Sequence, residues 1–304
     1  MRVGRVSVVG LGLMGGSLAR ALAVRGVHVI GYDRERSSLD AAVAEGMVHE
    51  PLDDTLRGVE RADVVVLATP VAATAALLTR LGDRLAGPSL IMDVASTKKR
   101  IVAAAEAAGL GPRYVGAHPL TGSHRSGWGA SRASLFDEAR VFLCPSPSTT
   151  PQTLTLAESF WRSLRAGVEV LDAEAHDEQM AWRSHLPQAV STALALTLRQ
   201  ANVPRSALGP GGRDMTRLAG GDPDLWTGIA ADNAPAILEA LAAMEEQLRL
   251  FRERLAAGED GVRECFADGR DWFDGQPLRG LTPRENAALT PRDVAALTPR
   301  DVTS

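Results

Sequence analysis

The sequence predicts an α/β fold: an N-terminal, doubly wound Rossmann-type parallel sheet followed by an all-α helical domain. Three observations carry this. Short β-branched runs alternate with apolar-periodic helical stretches as far as about residue 172 and then stop. The first run passes directly into a Gly-x-Gly-x-x-Gly turn and a helix. The second run ends in an acid about twenty residues beyond those glycines.

The leading strand, Val6-Ser-Val-Val9, meets Gly10-Leu-Gly12-Leu13-Met14-Gly15, and the helix behind it continues to about Leu22. Gly10 permits the tight turn, Gly12 lets backbone approach a pyrophosphate, and Gly15 allows close helix–strand packing. The helix start turns unpaired N–H groups and the positive end of its dipole toward the phosphates, where Leu13 and Met14 sit. The second strand, 27–32, ends in Asp33, whose carboxylate accepts hydrogen bonds from a ribose. Together these predict a dinucleotide site. Asp33 repels a 2′-phosphate and so favours NAD, against the pull of Arg34 and Arg36 nearby.

A helix around 38–45 and a loop come next, then the apolar strand 62–69, of the kind buried on both faces of a parallel sheet. It closes on Thr69-Pro70 at the ligand-binding sheet edge. A helix over 73–85, a strand over 89–94, a helix from Thr97 to about Ala108, a strand over 113–117, and strands 141–145 and 168–171 around a helix 151–164 complete the sheet. Beyond Glu174 the period is helical: 176–201 with Pro187 interrupting it, a helix opened by Asp222-Pro223-Asp224, and a long amphipathic helix over 234–255. The expected organisation is an NAD-binding domain over 1–172, a helical substrate and dimerisation domain over 173–280, and a tail over 281–304. This helical half is too small and apolar to stand unpacked, which predicts a homodimer. The tail repeats Leu-Thr-Pro-Arg three times, eight residues apart, and each proline forbids a continuous helix.

The composition is that of a soluble globular protein: 304 residues, 45% hydrophobic, 23% charged, net charge −4. That balance argues against nucleic-acid or membrane-surface partners. Cys144 and Cys265 are too few for a disulfide framework, and no grouping has metal-ligand spacing. With no membrane-length apolar run and no room for a signal peptide, the expected location is the cytoplasm.

The candidate chemistry lies at the carboxyl edge of the sheet. Of six histidines, His118 is the sharpest candidate, just past a strand and fixed by Pro119, where a neutral imidazole can accept an alcohol proton as hydride leaves. Ser96 closes the neighbouring strand within reach of it, with helix N-cap as its rival role. His185 stands in Ser184-His-Leu-Pro187. Arg213 and Arg217 ride a glycine loop, and their planar forks suit carboxylates.

These stretches resemble the prephenate dehydrogenase family of tyrosine biosynthesis, in family order over about residues 3–255: Gly10-Leu-Gly-Leu-Met-Gly-Gly-Ser17, Asp93-Val-Ala-Ser-Thr-Lys98, Gly116-Ala-His-Pro-Leu-Thr-Gly122, Ser184-His-Leu-Pro187, Arg213-Asp-Met-Thr-Arg217 and Asp222-Pro-Asp-Leu-Trp226. The resemblance implies NAD-dependent oxidative decarboxylation. His118 would accept from the substrate's 4-hydroxyl, Ser96 would orient that histidine and the nicotinamide, Arg217 would hold a carboxylate, and His185 would line the pocket. His124 and Gln188 depart from the family pattern, in which many relatives carry an acid and a second histidine. Both would lie near the substrate side chain, so arogenate, or dual cyclohexadienyl specificity, is the alternative to prephenate. A non-catalytic NAD-binding redox sensor is the alternative from another class. A β-hydroxyacid dehydrogenase would need a lysine in the helical half, whereas Lys98 and Lys99 are the only lysines present.

Overall fold

The computed structural model describes residues 3–87, 90–122 and 125–276. The expectations for His124 and for the repeat tail lie outside these residues. Eight strands form one sheet: β1 (Arg5–Val9), β2 (His28–Tyr32), β3 (Glu50–Pro51), β4 (Val64–Leu67), β5 (Leu90–Asp93), β6 (Tyr114–Pro119), β7 (Arg140–Pro145) and β8 (Gly167–Val170). Their order is β3-β2-β1-β4-β5-β6-β7-β8. β1 lies between β2 and β4, all three parallel, so the crevice of a doubly wound sheet opens at the carboxyl ends of β1 and β4. Pairing is parallel throughout except between β6 and β7.

Alternate strand residues feed opposite faces. Val6, Val8, Val64 and Val66 pack with Leu18 and Trp161 on one side, while Val9, Ile30, Val65 and Leu67 pack with Leu78 and Ile101 on the other. The covering helices are α1 (Leu13–Ala23), α2 (Arg36–Ala44), α3 (Val71–Leu81), α4 (Lys99–Ala107) and α5 (Pro151–Ser163). β3 replaces an expected loop. It is a two-residue edge strand, too short for a period to register, and Pro51 is tolerated there because an edge leaves one side of the ladder unpaired.

Three local expectations are corrected. His118 is not past its strand but inside β6, opposite Phe142 of β7, because the antiparallel partner extends the ladder to Pro119. Ser96 is not an N-cap: α4 begins at Lys99, and Lys98 in the cap position provides no side-chain capping bond. Pro187 does not interrupt its helix. α6 (Ala173–Met180) runs through a π-helical turn, Ala181–His185, into α7 (Leu186–Gln200), and the wider turn admits the proline in the first turn of α7.

The remaining helices are α8 (Pro210–Met215), α9 (Pro223–Asp232), α10 (Ala234–Ala257) and α11 (Glu259–Phe273). The glycine pair before Arg213 lies in α8 rather than in a loop. Asp222 caps α9 by accepting the N–H groups of Asp224 and Leu225, as its sequence predicts. The chain divides into two compact units, one ending at Ala234 and one starting at Pro235. In the second, Phe251 and Phe266 meet edge-to-face, 5.8 Å apart. Among the described residues no helix is long and apolar enough to cross a membrane.

Candidate active site

The glycine turn is built for a close approach. Gly10 has φ +96°, and a Cβ there would stand 2.4 Å from the Ala68 carbonyl oxygen. A Cβ on Gly15 would stand 1.8 Å from the Gly10 oxygen, so this glycine serves helix–strand packing. Gly12 meets nothing within 4 Å, which leaves open space in front of the turn. Its side-chain-free cap leaves the first-turn N–H groups of Leu13, Met14 and Gly15 for an anion. Asp33 holds the turn in place: Oδ2 accepts the Leu11 N–H at 2.5 Å and Oδ1 accepts the Glu35 N–H at 2.7 Å. Beside it opens a hollow of about 450 Å³ lined by Tyr32, Asp33, Arg34, Arg36, Asp53 and Asp54 among others. Arg36 is engaged with Asp40 at 3.0 Å, and three carboxylates line a place where NADP would need cations. Thr69 and Pro70 close the facing edge, where Pro70 caps α3 and the Thr69 hydroxyl pairs with that of Thr74 at 2.8 Å. The residues present fit a pyrophosphate and a ribose.

At the β6 edge three of the histidines gather. His118, 9% exposed, has its Nδ1 2.8 Å from Nε2 of His176. His176, fully buried, has its Nδ1 2.7 Å from Oδ1 of Asp177. The Asp177 carboxylate also caps α4 from α6: Oδ1 accepts the Lys98 N–H at 2.8 Å and Oδ2 accepts the Lys99 N–H at 2.9 Å. No hydrogen bond joins Ser96 to His118 among the described residues; the hydrogen-bond partner of the His118 ring is His176. His185 belongs to the same cluster. The Asn233 amide donates to its Nδ1 at 3.1 Å and to the Asp177 carbonyl at 2.7 Å. Burial lowers all three imidazoles. His118 falls well below the ordinary value, pushed further by His176 and Lys98, and His185 drops to about 4. Each is neutral at physiological pH.

Beneath His118 lies a buried ion pair that sequence reasoning missed. Lys98 Nζ meets both oxygens of Asp93 and donates to the Ala117 carbonyl at 2.8 Å, with both side chains fully buried. Gly116 makes room for it: a Cβ there would crowd the Lys98 stem at 3.1 Å. Burial outweighs the neighbouring ammonium and raises the Asp93 carboxyl.

The substrate-side candidates separate into two groups. An open cavity of about 1250 Å³ is lined by Gln188, Arg217, Leu218, Trp226 and Gly122 among others. Gln188 Nε2 donates to the Leu218 carbonyl at 2.8 Å, and Trp226 packs edge-to-face on His185 with centroids 6.1 Å apart. His185 therefore backs the cavity wall rather than lining it. Arg213 is turned away, its Nη2 3.4 Å from the Ser206 carbonyl, and does not line this cavity.

Comparison with known proteins decides the family. The nucleotide-binding domain of prephenate dehydrogenase matches as a family model over residues 18–170, and its dimerization domain over 172–267. The chain belongs to the prephenate dehydrogenase family. It is an NAD-dependent dehydrogenase. Prephenate dehydrogenase of Bacillus subtilis is 32% identical over 285 residues, 90% of this chain and 76% of that protein. The crystal structure of A. aeolicus prephenate dehydrogenase in complex with hydroxyphenyl propionate and NAD+ matches at TM-score 0.82 and 31% identity, covering 90% of this chain and 99% of that one. The crystal structure of Synechocystis arogenate dehydrogenase matches at TM-score 0.77 and 29% identity, over 89% and 99%.

Proposed function

We propose that this member of the family oxidatively decarboxylates prephenate to 4-hydroxyphenylpyruvate. The observation that carries the reading is His118: a buried, neutral imidazole at the carboxyl edge of a nucleotide-binding sheet. Bound NAD supplies the acceptor for the hydride leaving the ring carbon that bears the hydroxyl. His118 takes the hydroxyl proton as that carbon becomes a carbonyl. The bond to the ring carboxylate then breaks, carbon dioxide departs, and its electron pair aromatises the ring. His118 returns its proton to the phenolate, so the enzyme ends unchanged. Loss of carbon dioxide drives the reaction, and the protein's task is positioning.

Arg217 is the carboxylate anchor in this reading. Arg217→Ala should raise KM by roughly ten- to a hundred-fold, the value of a charged hydrogen bond of about 1.5–3 kcal/mol, with kcat changed less. An unchanged KM in steady-state kinetics removes Arg217 from that role. Residues 1–172 act as the NAD-binding domain, and the match of 172–267 to a dimerization domain supports a homodimer.

One observation favours arogenate as the alternative. Gln188 commits its N–H to Leu218, leaving the amide oxygen as an acceptor suited to the amino group that arogenate carries in place of a keto group. The deciding experiment offers prephenate and arogenate in parallel with NAD and follows reduced-nicotinamide absorbance. Turnover of prephenate supports the proposal; turnover of arogenate alone replaces it with the alternative.

A further inference from the structure

We propose that Asp177 and His176 are positioning residues that fix the protonation pattern of His118, so that its Nε2 is always the bare nitrogen offered to the substrate hydroxyl. This rests on His118 being the proton acceptor.

The direction of each bond follows from the far end of the relay. Asp177 is acceptor-only as a carboxylate, and its two oxygens already receive the N–H groups of Lys98 and Lys99. The proton between Asp177 and His176 therefore belongs to His176 Nδ1. A neutral His176 then has no hydrogen on Nε2, and that atom accepts from His118. His118 must carry its proton on Nδ1, which leaves the lone pair on Nε2. The carboxylate two rings away also faces the positive charge that His118 gains in the reaction. The backbone of α4 holds the carboxylate, α6 carries both relay residues, and β6 carries the base. Three separate elements thus converge on one tautomer.

Other titratable groups face the same ring. Lys98, from the turn before α4, opposes its protonation, as does His185 from the π-helical turn once it is itself protonated, while Asp93 of β5 compensates Lys98.

The test is steady-state kinetics across pH on the full chain. Asp177→Asn should lower kcat on the order of a hundred-fold or more with little change in KM, because an amide can present N–H to His176 and reverse the relay. His176→Phe leaves the cap on α4 intact and should show the same loss. His176→Gln restores an acceptor near the Nε2 position and should recover much of the turnover. A merely structural role would not give that rescue. In a His118→Asn background, Asp177→Asn should cause no further loss. Imidazole ¹⁵N shifts should place the His118 proton on Nδ1 in the parent chain and move it in Asp177→Asn. Full turnover in both His176→Phe and Asp177→Asn, with His118→Asn inactive, overturns the relay and spares His118. An active His118→Asn overturns the reading of His118 itself.

Discussion

His118→Asn is expected to reduce turnover by roughly 10²–10⁴-fold, the usual contribution of a positioned proton acceptor. The asparagine amide fits a similar space but cannot take up a proton, so the hydroxyl would lose its proton to water while hydride departs. Substrate binding should change little, since carboxylate recognition falls to Arg217. The pH profile of the parent chain carries a matching signature. A base must be unprotonated to act, and His118 is held well below the ordinary imidazole value by burial first, then by His176 and Lys98. The acid limb of kcat/KM should therefore lie below the usual imidazole range near 6.5, with activity level through neutrality. Retained turnover in the variant, or an acid limb at the unperturbed value, would remove His118 from the acceptor role.

Much of this site can be read from the sequence, and the unread parts share a physical cause. The glycine turn, Asp33 and His118 are visible because local spacing encodes their environment: a strand, a turn and a helix within a few dozen residues. The sheet is visible for the same reason, since β4 is a continuous apolar run and β5 is apolar up to Asp93. The relay is not local. His176 and Asp177 lie 58 and 59 residues beyond His118, and only the docking of α6 against the start of α4 makes them its partners. The one hint was an adjacent His-Asp pair opening the helical half. The same docking explains why Ser96 is no cap: Asp177 supplies that function from outside the segment. The Lys98 pairing was hidden because a lysine beside a second lysine reads as a solvated face. Lys99 fits that reading, exposed and paired with Glu174, whereas its neighbour is fully buried.

Lys98→Met should destabilise the protein by about 3–5 kcal/mol, the cost of stranding one partner of a buried ion pair. Methionine fills the stem's volume, so the loss falls on Asp93, which keeps its carboxylate in a dry site without the ammonium. Burial already raises that carboxyl in the parent chain, and removing Lys98 raises it further. The sign then follows from linkage. Between the unfolded value near 3.9 and the raised folded value, folded Asp93 binds more protons than unfolded Asp93, so stability falls as pH rises through that window. The variant's deficit should therefore be greatest at neutral pH and shrink on acidification, as seen by denaturant unfolding at several pH values. Pairing it with Asp93→Leu removes the stranded charge and should recover most of the loss, because a buried pair replaced by apolar groups is often neutral. Turnover offers a second readout. Lys98 holds the Ala117 carbonyl beside His118 and opposes protonation of that ring, so the acid limb of the variant should move toward neutrality. A variant with unaltered unfolding free energy would remove the Lys98–Asp93 contact from any stabilising role.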